Sequence, residues 1–415
     1  MLNVYTAGNL SGVLYRSEQN QQDYHFVYAK DCLPENAVSL TMNIIREPYI
    51  FSGHLHPIFD MNLPEGALLD KLKRTFQKQI HNFSDLDLLK IVGHNQIGRL
   101  TFGDKLRQNN EKIGLDIKQF KTYRGTEDLL QELVDKYAAS SGISGVQPKV
   151  LIKDTSQPDT QRVPKLSLND KLTHKEATHI IKSWGESSDY PELASNEYFC
   201  MLAAKYAGLN VPKIELTNEG KFLIIERFDY NKDTDQYLGF EDFCALSAKV
   251  SAQKYDGTYE RIAKLINDNL VGISRSNLKL ALTKYFKSVI LSVALRNGEA
   301  HLKNFGLLYE TPESMINLAP TYDIVTTTLY FNDNMALTMD GQKSWPSLKI
   351  IKRFGKNSCL LSEKEISQGI NEVLHGISLA KELLIRYSQA TPTFEKLGLK
   401  MAQIWDEGVK RSLMA

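Results

Sequence analysis

At 415 residues the chain is too long for a single hydrophobic core, so two or three packed units are expected. Hydrophobic residues at 42% and charged residues at 24% are ordinary for a soluble globular protein, and a formal net charge of +1 excludes a strong global field drawing it to nucleic acid or membrane. There is no apolar stretch of about 18 residues and no signal-peptide pattern at the N-terminus, and the four scattered cysteines (Cys32, Cys200, Cys244, Cys359) form neither a disulfide frame nor a zinc site; a reducing cytoplasm fits best.

Residues 1–105 read as a first unit. Alternating runs around Val13 to Tyr15 and His25 to Tyr28 predict strands. After Pro64, the recurrence of Leu68, Leu69, Leu72, Phe76 and Ile80 predicts a helix. His54 and His56 flank one residue and read as surface histidines at a strand end rather than metal ligands.

Residues 106–228 form a strand-rich second unit after a helix near 126–138. Strands are expected at Lys149 to Lys153, Ala177 to Lys182 and Lys221 to Phe228, with a polar loop at Asp154 to Arg162. A helix from about Ser195 to Tyr206 lies between them. Ser195 can cap its first turn, and Gly208 can stop it in the left-handed region. Residues 229–415 read as mainly helical. One long apolar helix runs from Asn277 to about Leu295, and Ser362 with Glu365 forms a capping box opening another that continues through Leu374. A β-rich middle followed by a helical end predicts an α+β protein of two lobes with a cleft between them.

Five features carry chemistry. Gly142 to Lys149 (GISGVQPK) is either a turn whose amides cradle phosphate or a plain helix-to-strand turn. Lys182, at a strand end, is either a cleft lysine that pairs with phosphates or a solvated edge lysine. Glu197 on the next helix is either its ion-pair partner or a glutamate favoured by the helix dipole. In Asn297 to Phe305 (NGEAHLKNF) an acid, Glu299, precedes Asn304 by five positions just after an apolar helix. That is the spacing at which kinase catalytic loops place the residue that orients the nucleophilic hydroxyl and a magnesium ligand. Asp323, after a short hairpin, suits a second magnesium ligand, since a hard cation prefers oxygen. Each part is common alone; the set in this order is not.

With these motifs in hand, the chain resembles the HipA-type toxins, serine/threonine kinases of bacterial HipBA modules. The likeness rests on ISGVQPK (143–149), THIIK (178–182), the stretch 194–212, IIERFD (224–229), EDFCALS (241–247), RNGEAHLKNFGLLY (296–309) and PTYDIVTT (320–327), with NLPEG (62–66) in the first unit. The resemblance implies a bilobal protein-kinase-like fold that uses ATP and Mg2+. Ile143, Ser144, Gly145, Val146, Gln147 and Lys149 would form the phosphate loop, and Lys182 would contact the phosphates. Glu226, Arg227 and Phe228 would be the hinge that holds adenine. Asn304 and Asp323 would be the metal ligands, position 299 the catalytic acid and His301 the support of its loop. Ser144 is the implied autophosphorylation site, ahead of Ser140 and Ser141. The implied partners are a HipB-like helix-turn-helix antitoxin, through which DNA is mainly reached, and a protein substrate in translation, such as an aminoacyl-tRNA synthetase; no membrane is involved.

One residue departs from the family pattern, which typically reads NGDAHLKNF: this chain has Glu299. The added methylene moves the carboxylate by about 1 Å, a shift that can slow a reaction on the order of a hundredfold. Two other readings share the scaffold: a small-molecule or lipid kinase, and a nucleotide-binding pseudokinase that represses through its partner.

Overall fold

A computed structural model of the chain describes residues 1–66, 69, 83–93, 96–103, 149–152, 177–183, 190–270 and 274–414, with the backbone alone for 149–152 and 183. The sequence expectations for helices near 68–80 and 126–138, for the loop 154–162 and for Ile143, Ser144, Gly145, Val146 and Gln147 lie outside these residues, as do Ser140 and Ser141.

The first strands are β1 (Leu2–Thr6), β2 (Asn9–Arg16), β3 (Asp23–Tyr28), β4 (Tyr49–Ser52) and β5 (Leu100–Gly103), which make an antiparallel sheet ordered β4-β3-β2-β1-β5. Alternation places Leu2, Val4, Leu14 and Phe26 on one face. That face is closed by Phe59 and by the helix Asp85–Val92, whose start is fixed by a Ser84–Asp87 capping box.

A second antiparallel sheet, ordered β6-β7-β9-β8, comprises β6 (Lys149–Ile152), β7 (His179–Ser183), β8 (Ile214–Leu216) and β9 (Phe222–Glu226). The helix Leu193–Tyr206 packs on it between β7 and β8 in the chain. This helix starts two residues before Ser195, so Ser195 is buried inside the first turn rather than capping it. Glu192, in the left-handed region at φ 57°, occupies the cap position. Gly208 ends the helix as expected, at φ +73°, where its amide donates to the Lys205 carbonyl and that of Leu209 to Ala204.

The remainder is mainly helical, as expected, but carries two small sheets: the hairpin of β10 (Tyr230–Asn231) and β11 (Gln236–Tyr237), and a set ordered β12-β13-β14 from β12 (Gly239–Asp242), β13 (Gly306–Tyr309) and β14 (Asn317–Leu318). The helix Arg275–Ala294 is the axis of the largest core. It is wrapped by Tyr259–Asn269, Glu363–Ala390 and Glu395–Ser412, with Tyr285, Phe286 and Trp405 fully buried. The predicted Ser362–Glu365 capping box is present, but its helix runs beyond Leu374 to Ala390, because Ile377, Ala380 and Leu384 continue the buried stripe. The architecture is α+β. Among the described residues no helix is long and apolar enough to cross a membrane.

The expectation for the histidine pair needs correcting. His56 is buried: its Nδ1 accepts the Ile58 amide at 3.1 Å, capping the short helix Pro57–Asp60, and its ring packs edge-on against Phe51. Burial pushes its imidazole down to about 4, and His54 adds repulsion. An unfolded chain takes up that proton near 6.5, so between pH 6.5 and 4 the unfolded state binds more protons, and stability present above that window is lost as pH falls. The loss is at most about 3 kcal/mol. His56→Asn, which retains a capping acceptor, should lose less stability than the parent between pH 6.5 and 4 in urea titrations; equal losses would remove His56 from this account.

Candidate functional site

The cleft is built around Lys182. It enters from β7, opposite Lys149 in the register of β6, and is 4% exposed. Its Nζ donates to Glu197 Oε1 at 2.6 Å and also pairs with Asp323 Oδ1. Burial alone would lower the Lys182 pKa, but the two carboxylates outweigh it and hold the ammonium charged, above its ordinary range. Glu197 is therefore Lys182's ion-pair partner, buried on the sheet-facing helix rather than placed for the helix dipole, and Lys182 is not a solvated edge lysine.

The opposite wall comes from the end of the helix Arg275–Ala294. Arg296 turns the chain at φ 57°, and the Gly298 amide then donates to Thr327 Oγ1 at 2.8 Å. A Cβ at Gly298 would collide with the Asp333 carboxylate, so the turn needs glycine. Beyond it, a 3-10 turn over Leu302–Asn304 aims Asn304 back: its Oδ1 accepts the His301 amide at 3.1 Å, and its Nδ2 donates to Asp323 Oδ2 at 3.1 Å. Asp323 itself sits at φ 60°. The buried ring of His301 is pushed down to about 3, first by burial and then by Lys254, and stays neutral.

Glu299 faces the same cavity, of about 200 Å³. The Tyr255 hydroxyl donates to its Oε1 at 3.0 Å and to its Oε2 at 2.8 Å, and His301 Nε2 is 3.6 Å away. Burial raises the Glu299 pKa, against the lowering effect of the Tyr255 hydrogen bond. On the far side, Glu226, Arg227 and Phe228 line the cavity, but their side chains are largely engaged elsewhere. Glu226 pairs with Lys232 at 2.8 Å, Arg227 clamps Asp229 through Nε at 3.0 Å and Nη2 at 2.5 Å, and the Phe228 ring stacks on Tyr322.

Sequence reading missed Glu65, Tyr255 and Lys254. Glu65 lines this cavity from the N-terminal part, its Oε2 accepting from Lys254 at 2.9 Å and its Oε1 from Lys303 at 2.5 Å. Its place in NLPEG was the one available signal; Tyr255 and Lys254 gave none. Asn304 turns its Nδ2 to Asp323 Oδ2 while its Oδ1 stays on the His301 amide, and among the described residues no group of three or more His, Cys, Asp and Glu side chains is placed to hold a metal ion.

Comparison with known proteins matches residues 2–103 to the HipA N-terminal domain family and residues 141–380 to the HipA-like C-terminal domain family. Y4dM of Sinorhizobium fredii is 27% identical over 179 residues, 39% of this chain and 41% of that protein. The serine/threonine-protein kinase toxin HipA of Shewanella oneidensis is 23% identical over 299 residues, 68% of this chain and 65% of the relative. The chain thus spans less than two thirds of either relative's length. A chain of the solved Shewanella oneidensis MR-1 complex of HipA, HipB and operator DNA matches with a TM-score of 0.68 at 18% identity, covering 100% of this chain and 98% of that one. The two share an α+β, kinase-like fold.

Removing the ammonium while leaving the buried Glu197 carboxylate beside a partly exposed Asp323 should be costly. Lys182→Met is expected to destabilise the protein by about 3 kcal/mol in urea unfolding, and the double variant Lys182→Met/Glu197→Leu to recover much of that loss. A single variant as stable as the parent would show that the cluster contributes nothing to folding.

Proposed function

The chain belongs to the HipA family, and on that premise we propose that its cleft transfers the γ-phosphoryl group of ATP to a serine or threonine hydroxyl of a protein. The observation that carries this reading is the meeting of Lys182, Glu197, Asn304 and Asp323 in one cavity that also takes in Glu299. Adenine would lie against Glu226 to Phe228. The amides of Glu226 and Arg227 already donate to the carbonyls of Lys213 and Thr178, so adenine would meet the carbonyls of this segment and the Phe228 amide. Ile143, Ser144, Gly145, Val146, Gln147 and Lys149 would cover the phosphates, and Lys182 would pair with them.

Asn304 and Asp323 would hold Mg2+. Both offer oxygen, and one lysine among two carboxylates leaves the cluster one net negative charge. Asp323 would release the Lys182 ammonium to the phosphates on taking the ion. Bound there, the metal would neutralise charge on the transferring group. In the transfer, the acceptor oxygen bonds to the γ-phosphorus as the bond to the bridging β-phosphate oxygen breaks. ADP leaves with the electron pair, and Glu299 takes the hydroxyl proton.

A HipB-like helix-turn-helix antitoxin is the proposed partner, in line with the HipB present in the solved relative's complex, and DNA would be reached mainly through it. A target in translation, such as an aminoacyl-tRNA synthetase, and a cytoplasmic location rest on the family resemblance. Phosphate on Ser144 would add about −1.5 to −2 charges to the loop and repel ATP, so a Ser144-phosphorylated sample should bind nucleotide more weakly than the unmodified protein; equal affinity would remove this control.

Glu299 also supports a second reading, a pseudokinase that binds nucleotide without turnover. Radiolabelled ATP separates the two: transfer to protein by this chain, lost in Asp323→Ala, supports the kinase, whereas transfer by Asp323→Ala at the parental rate would refute the metal assignment. Glu299→Asp should transfer faster than the parent, by up to roughly a hundredfold, with ATP affinity unchanged. Weaker ATP binding by the parent than by this variant would place Glu299 on the metal instead.

A further inference from the structure

The closest hold on the Glu299 carboxylate comes from a residue in none of the cleft motifs. Tyr255 lies between the 3-10 turn Ser251–Gln253 and the helix Tyr259–Asn269, and its hydroxyl reaches both carboxylate oxygens, at 3.0 and 2.8 Å. Among the described residues, Tyr255 supplies both hydrogen bonds made to the Glu299 carboxylate. We propose that Tyr255 is the positioning residue that fixes the Glu299 carboxylate for phosphoryl transfer, a role that rests on the kinase reading above.

The phenol is itself held on two sides. Its ring packs edge-on against His301, with centroids 5.2 Å apart, and the Lys254 ammonium lies 5.4 Å from its centre. Lys254 is tied by its side chain to Glu65 at 2.9 Å, and by its carbonyl to the Leu302 amide at 3.1 Å. Tyr255 is therefore braced between the turn that carries Asn304 and the N-terminal part of the chain.

A glutamate whose side chain is 40% exposed has several rotamers open to it, and a donor shared by both oxygens selects one. His301 Nε2, 3.6 Å away, is beyond hydrogen-bond distance and does not do the same. Lys254 on one side, and Asp333 and Asp323 on the other, act on the carboxylate through space without fixing its rotamer. Burial, reinforced by Glu299, pushes the Tyr255 phenol well above its ordinary range, so it remains a donor at working pH. The longer side chain at position 299 makes such a tether more necessary than a shorter one would.

Tyr255→Phe removes one oxygen and leaves the ring packing. The expected result is a roughly tenfold fall in kcat with the KM for ATP held within about twofold, the loss of a single hydrogen bond to a charged group. The fall should be smaller in the Glu299→Asp background, where the carboxylate retreats from the phenol. A second readout needs no turnover. With glutamate labelled at the 13C carboxyl, the Glu299 signal, identified by its loss in Glu299→Gln, should move in Tyr255→Phe. An unmoved signal overturns the hydrogen bond. A moved signal with unchanged kcat, or a parallel loss of kcat and ATP affinity, overturns the positioning role. Absence of phosphate transfer by both the parent and Glu299→Asp overturns the kinase reading and the role that rests on it, whatever the carboxyl signal shows.

Discussion

One buried ammonium ties together the elements on which the cleft depends. Lys182 belongs to the four-stranded sheet, Glu197 to the helix packed on that sheet, and Asp323 to the segment after β14. A charge at this depth is tolerated only with partners, and the buried Glu197 carboxylate would be costly to hold there without the lysine. The pairing makes the relative positions of sheet, helix and metal-proposed segment mutually dependent. Asn304, hydrogen-bonded to Asp323, brings in the loop after the long apolar helix. The cluster of one lysine and two carboxylates carries one net negative charge.

The N-terminal part is joined to the rest by carboxylates, buried or partly buried, that are satisfied from across the junction. Glu241 is fully buried and accepts from Ser39 Oγ and the Leu40 amide, both at 2.7 Å, and from Tyr309. Asp229 accepts the Gly98 amide at 2.6 Å, and Asp60 the Ser251 amide at 2.6 Å. Glu65 reaches farther, to Lys254 and to Lys303 in the Leu302–Asn304 turn. These contacts are directional, unlike an apolar interface, so they fix orientation as well as adhesion. The first sheet is thus positioned to affect the cleft while contributing few of its chemical groups.

Position 299 shows how much a single methylene asks of its surroundings. Charge is conserved between aspartate and glutamate, but reach and rotamer freedom are not. The turn that carries Glu299 is rigid, fixed by Arg296 in the left-handed region, by Gly298 against Asp333 and by the Asn297 side chain accepting the Glu299 amide at 3.0 Å. Among the described residues, the carboxylate itself is hydrogen-bonded by Tyr255. Backbone precision and side-chain precision therefore come from different parts of the chain.

What the sequence determined by itself was whatever depends on neighbours close along the chain. The stop at Gly208, the Ser362–Glu365 capping box, the long apolar helix before NGEAHLKNF and the five-residue step from Glu299 to Asn304 all follow from local backbone chemistry, and all stand in the structure. Glu197 was legible as one of two readings, a partner of Lys182 or a glutamate favoured by the helix dipole, whereas the pairing of Asp323 with Lys182 was not legible at all. Only the tertiary structure decided burial and pairing between distant segments. It buried His56 behind Phe51, moved the start of one helix to two residues before Ser195, and chose Glu197 and Asp323 for Lys182. It also brought Glu65 to Lys303 and Tyr255 to Glu299, pairs 238 and 44 residues apart. Such contacts leave no periodic trace in the sequence, because a hydrogen bond between distant side chains is set by how whole elements pack and not by the residues on either side of it.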